Sequence, residues 1–179
     1  MRILRFALYA LSAIVLLGLG ALVFLLKSYP AVQLPESLKP SPAGSVRTLF
    51  LGTSSMAWTD GQSTWLVDGF FSRQPLSEVA FTRLKVDETQ VGAVAAEMFK
   101  RLDMPSALSG IVVAHSHYDH SLDAPFLAKQ YGARVVGSES TLQIAKGQDV
   151  PTTQIDAFTG SGRVKLGEFD IQLIQSAHA

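Results

Sequence analysis

Three of the chain's four histidines fall within six residues, in the string His115-Ser116-His117-Tyr118-Asp119-His120, and the fourth is His178. Neutral imidazole is the preferred nitrogen ligand of zinc, whereas imidazoles interleaved with a carboxylate are a poor way to fill a core. The string directly follows the apolar run Gly110 to Ala114, where a buried strand would deliver its end to solvent. In extended backbone, residues i and i+2 project to one side. His115 and His117 are therefore expected to reach one metal ion, while Asp119 and His120, past the bend, turn towards a second. His178 follows another alternating apolar run, Phe169 to Ser176, and that matching position makes it the candidate third ligand. The chain has no cysteine, which excludes thiol catalysis, iron–sulfur clusters and cysteine zinc sites. Neither S-x-x-K nor G-x-S-x-G occurs, so a serine nucleophile lacks its usual setting. Gly160-Ser161-Gly162 stands without a third glycine and reads as a turn, not a nucleotide cradle.

Alternating strands and helices must position these groups. Arg47 to Leu51 and Gln62 to Asp68 read as strands, the second preceded by the turn pair Asp60-Gly61. Asp87 is placed to cap a helix whose apolar stripe is Val91, Val94, Ala95, Met98, Phe99 and Leu102, a spacing of period 3.6 that belongs to a core face. Gly110 to Ala114 and Arg134 to Val136 are predicted as strands. Between them Asp123 is placed to cap a helix ending near Gly132, and a short helix follows around Ser140 to Lys146. Arg163 to Leu166 and Phe169 to Ser176 form a closely connected strand pair, with Phe169, Ile171 and Leu173 on one face. Strands interspersed with helices predict a layered α/β architecture.

Overall, 47% of residues are hydrophobic and 17% are charged, below the ordinary charged share of about 25%. The deficit lies at the front. Phe6 to Leu26 is 21 residues without a charge, and as a helix rising about 1.5 Å per residue it would span roughly 31 Å, enough for a bilayer core. Residues 1–27 are therefore expected to be an N-terminal signal anchor, because Lys27-Ser28-Tyr29-Pro30 offers no A-x-A cleavage site. Arg2 and Arg5 outweigh Lys27, so a single-pass membrane protein with its folded part facing outward, periplasmic or extracellular, is expected; secretion after signal cleavage is the alternative. Pro30, Pro35, Pro40 and Pro42 mark residues 28–45 as a stiff linker, which leaves 46–179 to fold. Removing Arg2, Arg5 and Lys27 from the 15 basic residues leaves 12 against 15 acidic ones. That balance carries no electrostatic footprint for nucleic acid.

The string His115 to His120 matches the pattern H-x-H-x-D-H, and from about Val46 onward the sequence resembles the metallo-β-lactamase-fold hydrolases. Leu51-Gly52-Thr53-Ser54-Ser55 and Trp65-Leu66-Val67-Asp68-Gly69 look like that superfamily's opening strands, with Asp68 where the family places an aspartate that supports the ligands from behind. Ser176-Ala177-His178 lies where it places its next histidine.

The resemblance implies an α/β fold of the α+β kind, a four-layer αββα sandwich of two similar halves. It implies that His115, His117 and His178 hold a first zinc ion with one position open. Asp119 and His120 would serve a second ion, and Asp119 would be the catalytic residue that orients the nucleophile. The chemistry implied is hydrolysis of an ester, lactone, amide or phosphodiester in a small-molecule substrate by metal-bound hydroxide, since zinc lowers the pKa of water to about 7. The family also draws a bridging aspartate and a further histidine from later strands, and this chain has no fifth histidine. The second metal site and the second half of the sandwich are thus expected to be incomplete, as in a catalytic domain cut about halfway. Its open inner face would be an apolar patch too large to leave wet. The competing reading is an inactive fragment, or a membrane-anchored metal-binding or interaction module without turnover.

Overall fold

A computed structural model describes residues 2–27, 44–158 and 160–175, and the chain divides into two units, Met1–Glu36 and Ser37–Ala179. The first unit contains helix α1 (Arg2–Lys27). Among the described residues no helix is long and apolar enough to cross a membrane. This corrects the expected transmembrane helix ahead of the α/β domain, and with it the single-pass anchor and the outward-facing localisation. The proline-rich stretch predicted as a linker falls, from residue 28 to 43, outside the described residues.

The second unit is the expected α/β arrangement. Its main sheet has six strands in the order β1 (Arg47–Gly52), β2 (Ser55–Thr59), β3 (Thr64–Val67), β4 (Gly110–Val112), β5 (Arg134–Gly137) and β6 (Ile155–Ala157). Strand β2 runs antiparallel to both β1 and β3, and β3 to β6 are parallel. Parallel neighbours need crossover connections, and helices supply them. These are α2 (Leu76–Phe81) and α3 (Glu88–Leu102) before β4, α4 (Tyr118–Ser121) and α5 (Ala124–Tyr131) before β5, and α6 (Glu139–Gly147) before β6. Strands β7 (Gly162–Leu166) and β8 (Phe169–Leu173) form a separate antiparallel hairpin. Strand β2, the short helices α2 and α4, and β6 were not anticipated from sequence.

The ends of these elements follow local chemistry. The Asp87 side chain accepts from Gln90 N–H at the start of α3, and Gly132, at φ +65°, closes α5 in the left-handed conformation that glycine enters without cost. In the β2–β3 turn the Asp60 carboxylate accepts from the N–H of Gln62 and of Ser63, each at 2.8 Å. The Ser63 N–H in particular holds its pKa below the usual carboxylate value.

Two apolar clusters lie on opposite faces of the main sheet. On one, Leu66, Ile111 and Val135 pack against the α3 stripe of Val91, Ala95, Met98, Phe99 and Leu102, with Leu127 of α5 and Ala145 of α6. On the other, Trp65, Val112 and Val136 meet Val164 and Leu166 of β7, flanked by Phe169, Ile171 and Leu173 of β8. Period-two alternation divides the two sets, since Leu66 pairs with Ile111 and its neighbour Val67 with Val112. The hairpin thus covers the face expected to be left bare. Its outward residues Arg163, Lys165, Asp170 and Gln172 are exposed and polar, so the large wet apolar patch expected of a half-sandwich does not arise there. Helices, main sheet and hairpin are three layers of the expected four, and β7 with β8 make up the whole facing sheet among the described residues.

Candidate metal centre

Parallel strands β3, β4 and β5 all point their carboxyl ends to one edge of the sheet, the edge where open α/β sheets bind ligands. The residues that could do chemistry gather there. The chain leaves β4 at Val112 and bends through residues 114–117 instead of staying extended, then enters α4, which carries Asp119 and His120. The expected strand-like i, i+2 geometry of His115 and His117 is replaced by a bend, yet the rings still converge. Ring centroids lie 4.6 Å apart for His115 and His117 and 3.8 Å apart for His115 and His120. Ser121, buried at 2% exposure, stitches this bend by donating its hydroxyl to the carbonyls of His117 (2.9 Å) and Ser116 (3.1 Å).

Asp68, the residue after β3, organises the cluster from behind. It is fully buried and stands at φ +60°, a left-handed conformation that Asp and Asn enter more readily than most residues. Its N–H continues the β3–β4 ladder to Val112 O, while its Oδ1 accepts from Ala114 N–H at 2.8 Å. Its Oδ2 lies 2.7 Å from His120 Nδ1. An ionised carboxylate only accepts, so Nδ1 carries the proton and, in the neutral ring, Nε2 keeps its lone pair. His120 Nε2 lies 3.8 Å from Asp119 Oδ2. The gap is too long for a hydrogen bond, and it is close to the separation of about 3.4 Å or more that two donors roughly 2.1 Å from one zinc ion would show.

A carboxylate–histidine pair with the other ring nitrogen turned to a carboxylate oxygen is the arrangement that orients a metal-binding imidazole. The donor set of three imidazoles and one carboxylate therefore fits a divalent metal by its chemistry. Among the described residues, no three such side chains already stand around one point at metal-binding distance. His178 lies outside the described residues, and β8 ends at Leu173 instead of running on to Ser176.

Several supporting contacts had not been anticipated. Ser54, in the tight turn between β1 and β2, places Oγ 3.0 Å from His120 Nδ1. Ser55 Oγ accepts from Phe70 N–H. Asp123, expected to cap α5, makes no cap bond. Its buried carboxylate instead takes the N–H groups of Phe71 and Ser72 and the hydroxyl of Ser72, each at 2.6 Å. Burial pushes its pKa up, and these donors pull it back only in part. The one sequence signal for these contacts was polar side chains flanking apolar strands, which does not say what each will bind.

No family model matches the chain. A UPF0173 metal-dependent hydrolase of Pyrobaculum islandicum is 37% identical over 70 residues, 38% of this chain and 31% of the relative. Another, of Dinoroseobacter shibae, is 27% identical over 117 residues, 65% of this chain and 48% of the relative. Among solved structures, a metallo-β-lactamase from Pontibacter korlensis aligns at 19% identity with a TM-score of 0.43, covering 76% of this chain and 58% of its own. The chain spans 31 to 48% of the length of these two curated relatives. Over the segments they share, this chain is similar to metal-dependent hydrolases.

Proposed function

We propose that this chain carries the metal-binding part of a zinc-dependent hydrolase that acts on a small-molecule ester, lactone, amide or phosphodiester. The observation that supports it most is the Asp68–His120 pair, which holds the proton on Nδ1 and leaves Nε2 near Asp119 beside the rings of His115 and His117. His115 and His117, with His178, would hold one ion, and Asp119 with His120 would serve a second. Zinc, when bound, supplies a Lewis acid and acidifies water to near neutrality.

The chain's own groups do the positioning. Asp68 fixes the tautomer and tilt of His120 through Nδ1. Ser121 holds the bend that presents His115 and His117. Asp119, with its side chain 38% exposed, is placed to orient the attacking water and to take its proton at Oδ2.

Zinc titration of the purified full chain, with hydrolysis of nitrophenyl esters and a bis-nitrophenyl phosphodiester, tests this reading. Stoichiometric zinc and turnover lost together in the His115→Ala/His117→Ala double variant are expected. A chain that takes up no zinc, or undiminished hydrolysis by the double variant, would refute it.

A further inference from the structure

We propose that Arg73 is a positioning residue for the metal centre: laid over Gly52, its guanidinium pins the β1–β2 turn so that Ser54 holds the Nδ1 side of His120 beside Asp68. The proposal rests on the reading of the histidine cluster as a metal site.

The contacts form a short chain. Arg73 donates through Nη2 to the carbonyl of Leu51, the residue before Gly52. The backbone of Gly52 sits at φ +95°, and a Cβ there would stand 2.6 Å from Arg73 Nη1, 2.8 Å from Cζ and closer still to Nη2. Glycine is needed here for two reasons, its conformation and the guanidinium lying flat on it. The next residues, Thr53 and Ser54, make the turn itself, with Thr53 at φ +55°. Ser54 Oγ then reaches His120 Nδ1 at 3.0 Å, beside the 2.7 Å contact to Asp68. One proton on Nδ1 faces two acceptors, so Ser54 takes the weaker branch and limits rotation of the ring about its Asp68 bond.

Arg73 is itself held in place. The segment before it is fixed by Ser55 at Phe70 and by Asp123 at Phe71 and Ser72, and Arg73 stands at φ +48°. Left-handed backbone at a residue other than glycine, asparagine or aspartate costs free energy and persists where surrounding contacts enforce it. Arg73 forms no ion pair with a carboxylate among the described residues. Its ordered contact is with the turn.

The experiment uses the full chain and Zn2+ alone, with affinity read by competition against a chromophoric chelator. Ring nitrogen shifts of His120 are recorded in the metal-free protein. Arg73→Ala, Gly52→Ala and Ser54→Ala are each expected to weaken zinc binding about 3- to 10-fold, below the 10- to 100-fold range expected for Asp68, the stronger partner of the ring. The Arg73→Ala/Ser54→Ala double variant should lose no more than the worse single one, because both act through one contact. Ser54→Thr, which keeps the hydroxyl, should restore wild-type affinity. In the metal-free protein, Arg73→Ala should move the His120 ring signals in the same direction as Ser54→Ala. Should Arg73→Ala fail to fold, Arg73→Gln, which keeps a donor and removes the fork, takes its place. Affinity within twofold of wild type with unchanged His120 signals would overturn the proposal, as would additive losses in the double variant. A wild-type chain that binds no zinc would overturn the metal-centre reading instead, and the His120 signals would then decide the role of Arg73.

Discussion

Asp68→Asn separates support of the metal ligand from support of the fold. The left-handed conformation of Asp68, at φ +60°, suits asparagine equally, so the substitution leaves the backbone in place. The amide oxygen can still accept from Ala114 N–H, now 2.8 Å from Asp68 Oδ1. Flipping the amide would set its NH2 against that backbone donor, which cannot change its role. The NH2 therefore meets His120 Nδ1, where a carboxylate oxygen stands at 2.7 Å. Two donors cannot face each other. The ring must move its proton to Nε2, and the lone pair there is lost. Losing such a partner costs about 10- to 100-fold in metal affinity, or about 1.4–2.8 kcal/mol. Stability should fall by only about 1 kcal/mol, because one charge-assisted hydrogen bond gives way to a neutral one and no buried donor is orphaned. Zinc competition titrations, urea melts and ring nitrogen shifts of His120 in the metal-free variant measure the three quantities. Zinc affinity within twofold of wild type, with His120 still protonated on Nδ1, would refute the reasoning. A stability loss of several kcal/mol that accounts for the lost affinity would show Asp68 to be structural only.

Two further outcomes follow from the buried polar and glycine positions. Burial holds the Asp123 carboxyl above its ordinary value of 3.8, so the native state keeps that proton to higher pH than the unfolded chain does. Its contribution to stability is fully present below 3.8 and declines as pH rises through the raised native value. The destabilisation caused by Asp123→Asn in urea melts should therefore shrink from about pH 4 to about pH 7, and a constant difference would contradict the assigned direction. Asp123→Ala, which orphans the N–H groups of Phe71 and Ser72, should cost about 2–5 kcal/mol at neutral pH. At Gly110, an added Cβ would lie 2.6 and 2.8 Å from the Leu166 methyls and 3.2 Å from Arg134 O. Gly110→Ala should cost about 1–3 kcal/mol by crowding, and Leu166→Ala about 2–5 kcal/mol by leaving a cavity. The double variant should cost clearly less than the sum in thermal melts, and strict additivity would show that the hairpin does not seat on Gly110.

What was legible in the sequence was whatever repeats along it. The α3 stripe from Val91 to Leu102 shows one face at helical spacing, and all of its residues except the half-buried Val94 are buried. The hairpin alternation Phe169, Ile171, Leu173 was visible for the same reason, and these residues pack on the second core. Strand β2 was not visible, because its inward positions are Ser55, Ala57 and Thr59. Ser55 and Thr59 are buried only because their hydroxyls bond Phe70 N–H and Ser63 O, partners that exist only after folding. Asp123 illustrates the same limit: its place before α5 is that of a cap, yet the loop packed against it offers better donors. Asp68 was reachable through family resemblance; Ser54 lay in a segment that shared the resemblance but was given no role, and Arg73 lay in no sequence pattern at all.

These misses share a physical origin that bears on the site. Asp68, Asp123, Ser55 and Ser121 are all buried polar residues at the same edge of the sheet, and burying such groups without partners costs several kcal/mol each. Each is satisfied by the backbone of a neighbouring loop, respectively at Ala114, at Phe71 and Ser72, at Phe70, and at Ser116 and His117. The desolvation penalty then works as a constraint, because a loop that moved would orphan a group that cannot reach water. Burial of polar residues that helices and strands do not require therefore fixes the bend carrying His115 and His117 and, through Asp68, the ring of His120 on α4. On the proposed reading, a metal ion bound there would meet a His120 ring whose direction Asp68 sets in advance, and binding would not have to supply the cost of ordering that ring.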